Sequence, residues 1–252
     1  MTEVEKKFLK LCRELKPHIV PHKTNLRKIR IGEPGDGGYV VCELPGYDCL
    51  YSYGSDDNIK FERGFYDLYG KDCYVYDHTI DGITNKPDYI HFFKEGVSSQ
   101  KTHEVDTIDN HIIKNGHTDK ANLFMQMDIE GHEWHSLLAC NYLKNFSQLV
   151  IEFHISNNNF FGFYENILET FKRLNNEFVC VHIHGNNCLL QPWFDHNLPR
   201  TFECTYVRKD LVGEYEIDMR AYPLDGLDEP NSNDRPDLPL NWWITESVLK
   251  DV

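Results

Sequence analysis

Apolar residues recur at two periods along this chain. Between residues 2 and 16, Val4, Phe8, Leu9, Leu11, Cys12 and Leu15 fall at helical intervals, which predicts an amphipathic helix ended by Pro17. The run from Asp48 to Gly54 then predicts a strand closed by glycine. Ser55, Asp56, Asp57 and Asn58 can cap a following helix, whose stripe is Phe61, Phe65 and Leu68. Further strands are expected at 73–79, 89–93, 122–128, 148–154, 178–184 and 201–208. Helical patterns lie between several of them: one beginning at Val105 and running to Ile113, one at Trp134, Leu137 and Leu138, and one at Phe163, Ile167, Leu168, Phe171 and Leu174. Strands alternating with helices predict an α/β fold, a mostly parallel sheet with helices on both faces.

The remaining segments are punctuated differently. Residues 31–42 carry Gly32, Gly35, Gly37 and Gly38 ahead of a short apolar run, a turn or close backbone approach leading into a strand. After Ala221, Pro223, Pro230, Pro236 and Pro239 stand among Asp and Asn, so a surface strap is expected rather than a regular element. The expected organisation is a lead-in at 1–30, one domain at 31–220 and the strap at 221–252.

The stretch from Asp128 to Trp134 is the centre of the chemical argument. It predicts a strand end, a glycine turn and a helix start, and in an open α/β sheet ligands bind outside the carboxyl ends of strands. Other strand ends carry similar groups. Glu152 and His154 are two apart, as are His182 and His184, so each pair projects to one face. Carboxylate with imidazole can hold a divalent cation or take a proton from a hydroxyl. Gly54 ends the first strand of the domain, and Asp77 ends the second, about 20 residues on, where a carboxylate accepts ribose hydroxyls. The G-x-G-x-x-G pattern is absent, which argues against a pyrophosphate cofactor. S-adenosylmethionine has a ribose without phosphate, and acids such as Asp36 or Glu62 suit its cationic sulfonium and amino groups.

Charge narrows the partners. The 252 residues carry a formal net charge of −14, which argues against nucleic acid or an anionic membrane surface as partner. Eight cysteines without a CxxC pair read as buried free thiols. With no signal peptide recognised and no long apolar run, a reducing, cytoplasmic setting is expected.

Seven motifs occur in order: Asp36-Gly37-Gly38-Tyr39, Tyr51-Ser52-Tyr53-Gly54, Tyr76-Asp77-His78-Thr79-Ile80, Met127 to Trp134, Ile151-Glu152-Phe153-His154, His182 to Asn187 and Glu203 to Lys209. Together they resemble the FkbM-like class I methyltransferases. The resemblance implies a Rossmann-like, seven-stranded fold and an S-adenosylmethionine-dependent O-methyltransferase acting on a sugar or glycan hydroxyl. It implies cofactor contacts at Asp36, Gly38, Gly54, Ser55 and Asp77; Glu62 and His78 are further candidate cofactor contacts. Asp128, with Glu152 and His154, would hold a divalent cation such as Mg or Mn. Asp128, His154 and His184 are the candidate catalytic groups. Two rivals are a metal-dependent hydrolase using the Glu-x-His and His-x-His pairs, and a methyltransferase-like binding module without chemistry.

Overall fold

The structure is a computed structural model that describes residues 3–155, 160–188, 190–193, 196–199 and 201–240. Its centre is a seven-stranded sheet: β1 (Leu50–Tyr53), β2 (Cys73–Tyr76), β3 (Ile90–Phe93), β4 (Leu123–Met127), β5 (Phe146–His154), β6 (Phe178–Gly185) and β7 (Thr201–Arg208). The spatial order is β6-β7-β5-β4-β1-β2-β3. Neighbours from β5 through β3 run parallel, and β7 is antiparallel to both β5 and β6. This is the expected mostly parallel α/β sheet, with a topological switch between β1 and β4. The carboxyl ends of strands at such a switch are where open α/β sheets form a ligand crevice.

Alternation along the strands sorts the two faces. Tyr51, Tyr53, Met125, Met127, Leu149, Ile151 and Phe153 pack in one core. That core is covered by α1 (Glu3–Ile19), α3 (Ile108–Lys114), α4 (Glu133–Ala139) and α5 (Phe160–Glu177). Leu50, Phe124 and Val150 belong to the opposite core, with Phe61 and Phe65 of α2 (Lys60–Tyr69) and Val212 of α6 (Lys209–Val212). A full turn of apolar burial on each side leaves the sheet dry on both faces, as a parallel sheet requires.

On that second face lies an antiparallel hairpin, Lys28–Ile31 paired with Tyr39–Cys42. Its outer edge would leave backbone groups buried and unpaired. The buried Gln148 side chain answers this: Oε1 accepts from Cys42 N at 2.7 Å, and Nε2 donates to Cys42 O at 2.9 Å. Thr205 donates its hydroxyl to the carbonyl of Val40. These side chains dock the hairpin across β5 and β7.

Several boundaries differ from expectation. α1 continues through Pro17 to Ile19. Val105–Asp106 is a short strand paired with Gly96–Val97, and the helix begins only after Thr107, whose hydroxyl accepts from Asn110 N at 3.1 Å. α2 starts after Ile59 without a side-chain cap there; Asn58 Oδ1 accepts from Lys60 N at 3.3 Å, and Asp57 instead binds Thr84. A second hairpin, Leu190–Trp193 with His196–Pro199, has no counterpart in the sequence pattern. Among the described residues no helix is long and apolar enough to cross a membrane. Cys42, Cys49, Cys73, Cys140, Cys180, Cys188 and Cys204 are free thiols. Cys12 has no described side chain.

Candidate active site

Two strand ends meet so closely that one residue type is dictated. Asp128 N donates to Tyr53 O at 2.9 Å, and Gly54 N donates to Tyr76 O at 3.0 Å. Gly54 has φ +76°, and a Cβ there would stand 1.7 Å from the carbonyl oxygen of Asp128. Only glycine permits this approach. It puts the turn after β1 directly against the acidic turn after β4.

Asp77 organises the neighbouring loop. Its carboxylate accepts from Asp56 N at 2.9 Å, from Thr79 N at 2.7 Å and from the Thr79 hydroxyl at 2.6 Å. Asp56 has φ 50°, a left-handed backbone held by this bond. Ser55 closes on the carbonyl of Asp56 at 3.0 Å. His78 is exposed, with its ring against Gly96. Asp36 is exposed at the hairpin tip and accepts from Asn231 Nδ2 at 3.2 Å. Gly38 is buried and so tight that a Cβ would stand 2.1 Å from the carbonyl of Glu33.

Glu62 lies elsewhere than expected. It is 1% exposed and faces the interior, where the Ser52 hydroxyl lies 2.5 Å from its Oε1 and 2.7 Å from Gln126 Oε1. One hydroxyl proton cannot serve both, which fits a protonated Glu62 donating to Ser52. Burial, more than offsetting the Ser52 bond, pushes the Glu62 carboxyl up to about 7. It is an interior residue beneath the sheet, not a neighbour of the crevice.

The acids at the crevice form one connected group. Tyr39, presented by the hairpin, has its hydroxyl 3.2 Å from Glu152 Oε2 and 3.4 Å from Asp128 Oδ2. Asn186 donates to Glu152 Oε1 at 2.9 Å. Glu152 stands directly opposite Glu203 in register, and Glu203 opposite His184. Burial, then the charges of Asp128 and Glu203, hold the Glu152 carboxyl well above the usual carboxylate range. Burial raises Asp128 to about 7, against the attraction of His154.

His154 faces carboxylates on both sides. Nδ1 donates to Glu133 Oε1 at 2.9 Å. Nε2 lies 3.7 Å from Asp128 Oδ1 and 3.5 Å from Glu130 Oε2. Burial lowers the imidazole, but the Glu133 bond and the surrounding acids outweigh it and raise it to about 9. His154 is therefore an imidazolium at neutral pH, not the free base expected from the sequence. Glu130 has φ 54°, and this left-handed turn brings an otherwise exposed side chain back toward the crevice. Among the described residues, the group whose ligand atoms lie within 4.8 Å of one another is Asp128, Glu130 and His154. Glu152, expected as a ligand, is absent from it, being drawn away by Tyr39 and Asn186. Glu130 takes that place.

The His-x-His pair serves the strap. His182 Nε2 meets Asp228 Oδ1 at 2.8 Å, and His184 Nε2 meets Asp237 at 3.1 and 3.2 Å. His184 is 1% exposed, with Nδ1 3.3 Å from Glu203 Oε2, an ion-pair contact without hydrogen-bond geometry. Burial lowers it, but Glu203 and Asp237 raise it well above its ordinary value. With Nε2 on Asp237, Nδ1 beside Glu203 and the ring buried, His184 presents no free nitrogen to a substrate or a hydrolytic metal, so both expectations for it give way to an anchoring role.

Sequence reasoning overlooked Tyr39, Glu133, Asn186, Glu203 and Asp237. The first four lie inside or next to the quoted motifs, and strand register would have paired Glu203 with Glu152. Asp237 is reached only through a long irregular segment, and no periodicity marks it.

Comparison with curated proteins finds no match. Among solved structures, a Streptococcus thermophilus protein provisionally described as a hemolysin is 15% identical, with a TM-score of 0.39 over 66% of this chain and 62% of its own. A Clostridium thermocellum protein provisionally described as an rRNA methylase is 10% identical, also at 0.39, over 66% of this chain and 89% of its own. The chain thus spans 62% of the length of the first. Residues 13–159 match the family described as "Methyltransferase domain", more than half of the 252 residues. With its seven-stranded order and its strand-end crevice, the chain belongs to this methyltransferase-domain family.

Proposed function

We propose that this protein is an S-adenosylmethionine-dependent O-methyltransferase whose acceptor is a hydroxyl of a sugar or glycan. The observation that carries it is the junction of two turns: the Gly54 turn, in a region suited to a nucleoside, packs on the backbone of Asp128, whose carboxylate is suited to a hydroxyl. S-adenosylmethionine belongs to a methyltransferase domain and supplies an electrophilic methyl group on a sulfonium when bound. On this reading Gly54, Ser55, Asp77 and His78, at the ends of β1 and β2, would meet the cofactor, with Asp36 and Gly38 of the hairpin toward its methionine end.

A hydroxyl is a weak nucleophile until its proton leaves. Asp128, raised to about 7, is matched to accepting that proton near neutral pH. Tyr39 and Glu152, buried behind it, form the wall against which the Asp128 carboxylate rests. The His154 imidazolium balances the charge that Asp128 carries in its ionised form. Clusters of neutral and charged oxygen groups of this kind suit a polyhydroxylated acceptor.

A divalent cation, Mg or Mn, fits the donor set of Asp128, Glu130 and His154 once the imidazole gives up its Nε2 proton. It would supply Lewis-acid activation of the hydroxyl. Activity in EDTA separates the two forms: full activity assigns the reaction to Asp128 as base, and loss restored by Mn assigns it to the cation.

The deciding experiment is methyl transfer to a panel of monosaccharides and glycans, alongside calorimetry with S-adenosylhomocysteine. Binding and transfer together support the proposal. Absence of S-adenosylhomocysteine binding would overturn it. Binding without transfer to any acceptor would favour the non-catalytic module.

A further inference from the structure

The acidic turn and His154 are held together by one buried oxygen. Glu133, the first residue of α4, is 0% exposed. Its Oε1 accepts from Ile129 N at 3.1 Å, from Gly131 N at 3.1 Å and from His154 Nδ1 at 2.9 Å. The two amides belong to the turn that carries Asp128 and Glu130. The imidazole belongs to the end of β5. The adjacent Trp134 donates Nε1 to the carbonyl oxygen of the same His154 at 3.0 Å, and its ring stacks on Phe153 with centroids 4.7 Å apart. The Thr170 hydroxyl of α5 lies 3.2 Å from the carbonyl oxygen of Trp134 and 2.7 Å from that of Asn166. Two consecutive residues of α4 therefore grip the ring and the backbone of one histidine.

This arrangement exceeds what a helix start requires. Ile129 and Gly131 precede the helix, so the two amide bonds brace the turn and leave the orphan donors of the helix start untouched. The third donor fixes the orientation of a ring that has no other bond at Nδ1. With Nδ1 committed, Nε2 can face only Asp128 and Glu130. Partners of this kind set which ring nitrogen is presented to the reacting groups.

We propose that Glu133 is a positioning residue for the methyl transfer, coupling the Asp128–Gly131 turn to His154 through a single carboxylate oxygen, with Trp134 as the second grip. This rests on the transfer reading above.

Glu133→Gln tests it, because the amide keeps the side-chain shape and an acceptor oxygen but loses the charge. In ¹⁵N-histidine-labelled protein, the carboxylate-bonded Nδ1 proton of His154, assigned by its absence in His154→Gln, should move upfield in Glu133→Gln. Turnover should fall about tenfold or more, while the acceptor KM and S-adenosylhomocysteine affinity stay within about twofold. The double variant should turn over no more slowly than His154→Gln alone, since both changes remove one unit. An unchanged Nδ1 signal with unchanged turnover overturns the proposal. So does multiplicative loss in the double variant, or parallel loss of S-adenosylhomocysteine affinity and melting temperature, which would mark a purely structural role. Trp134→Phe, which removes only the Nε1 donor, provides a milder variant in which turnover should fall with cofactor affinity retained. The Nδ1 signal needs no turnover, so it decides whether Glu133 holds His154 even if the wild-type protein methylates no sugar.

Discussion

Individual carboxyl groups here take different protonation states from different surroundings. Asp128 keeps partial exposure and an imidazolium partner, and its neighbour Glu152 is sealed under Tyr39 and Asn186. Asp128→Asn should therefore reduce methyl transfer by about a hundredfold or more, with S-adenosylhomocysteine affinity and melting temperature preserved; transfer and calorimetry on the same preparation check this. Glu62 offers a stability test. Its folded-state value, about 7, lies above that of an ordinary carboxyl at 4.5, so the folded protein holds a proton the unfolded chain has lost. Stability from this group is complete below about pH 4.5, falls as pH rises toward 7, and is flat beyond. Glu62→Gln should remove that fall, leaving the variant more stable than wild type at pH 8 relative to pH 5, by on the order of 2 kcal/mol. Chemical denaturation at the two pH values measures it; equal pH dependence in both proteins would reject a neutral Glu62.

At the scale of elements, the contacts between turns matter more than the strands themselves. Gly54→Ala places a Cβ against the Asp128 carbonyl and demands a left-handed backbone from alanine. The expected result is loss of S-adenosylhomocysteine binding together with a lower melting temperature, by several kcal/mol of stability. Retained binding would show that the two turns can part without consequence. The sequence made much of this level legible. Apolar runs, several of them closed by glycine or an acid, marked all seven strands, and Gly54, Asp77 and Asp128 were placed at strand ends by pattern alone. What it could not show was direction at the turns. Glu130 sits in the turn between strand and helix, and only its left-handed backbone brings it to His154. Glu62 matched an electrostatic argument about a cationic cofactor, but helical phase turned it inward. Val105 and Asp106 fell in a helical pattern, and a two-residue strand claimed them because their backbone groups pair with Gly96 and Val97.

At the scale of the molecule, the strap completes the sheet's far edge. His182 and Asp228 form a pair whose side chains are 2% and 1% exposed, and burial lowers the imidazole against the pull of Asp228. Removing one partner strands the other in the interior. Asp228→Ala should lower stability by on the order of 3 kcal/mol and open residues 221–240 to limited proteolysis, with cleavage products read by mass spectrometry. Resistance equal to wild type would show that Asp237, Asn231 and the buried Tyr222, Leu224, Leu238 and Leu240 hold the strap unaided. Asn231 gives this closure a bearing on the crevice, since it bonds both Asp36 and Glu203. None of the strap's anchors was visible in the sequence, because a proline-interrupted segment has no period from which a facing side can be read.

The hairpin that carries Tyr39 is fastened to β5 and β7 by the side chains of Gln148 and Thr205, outside the sheet's own ladder of backbone bonds. Residues 28–42 thus rest on the sheet without belonging to its ladder. Substitutions at the hairpin tip can therefore change what stands beside the Asp128 turn while the order and register of the seven strands stay as they are.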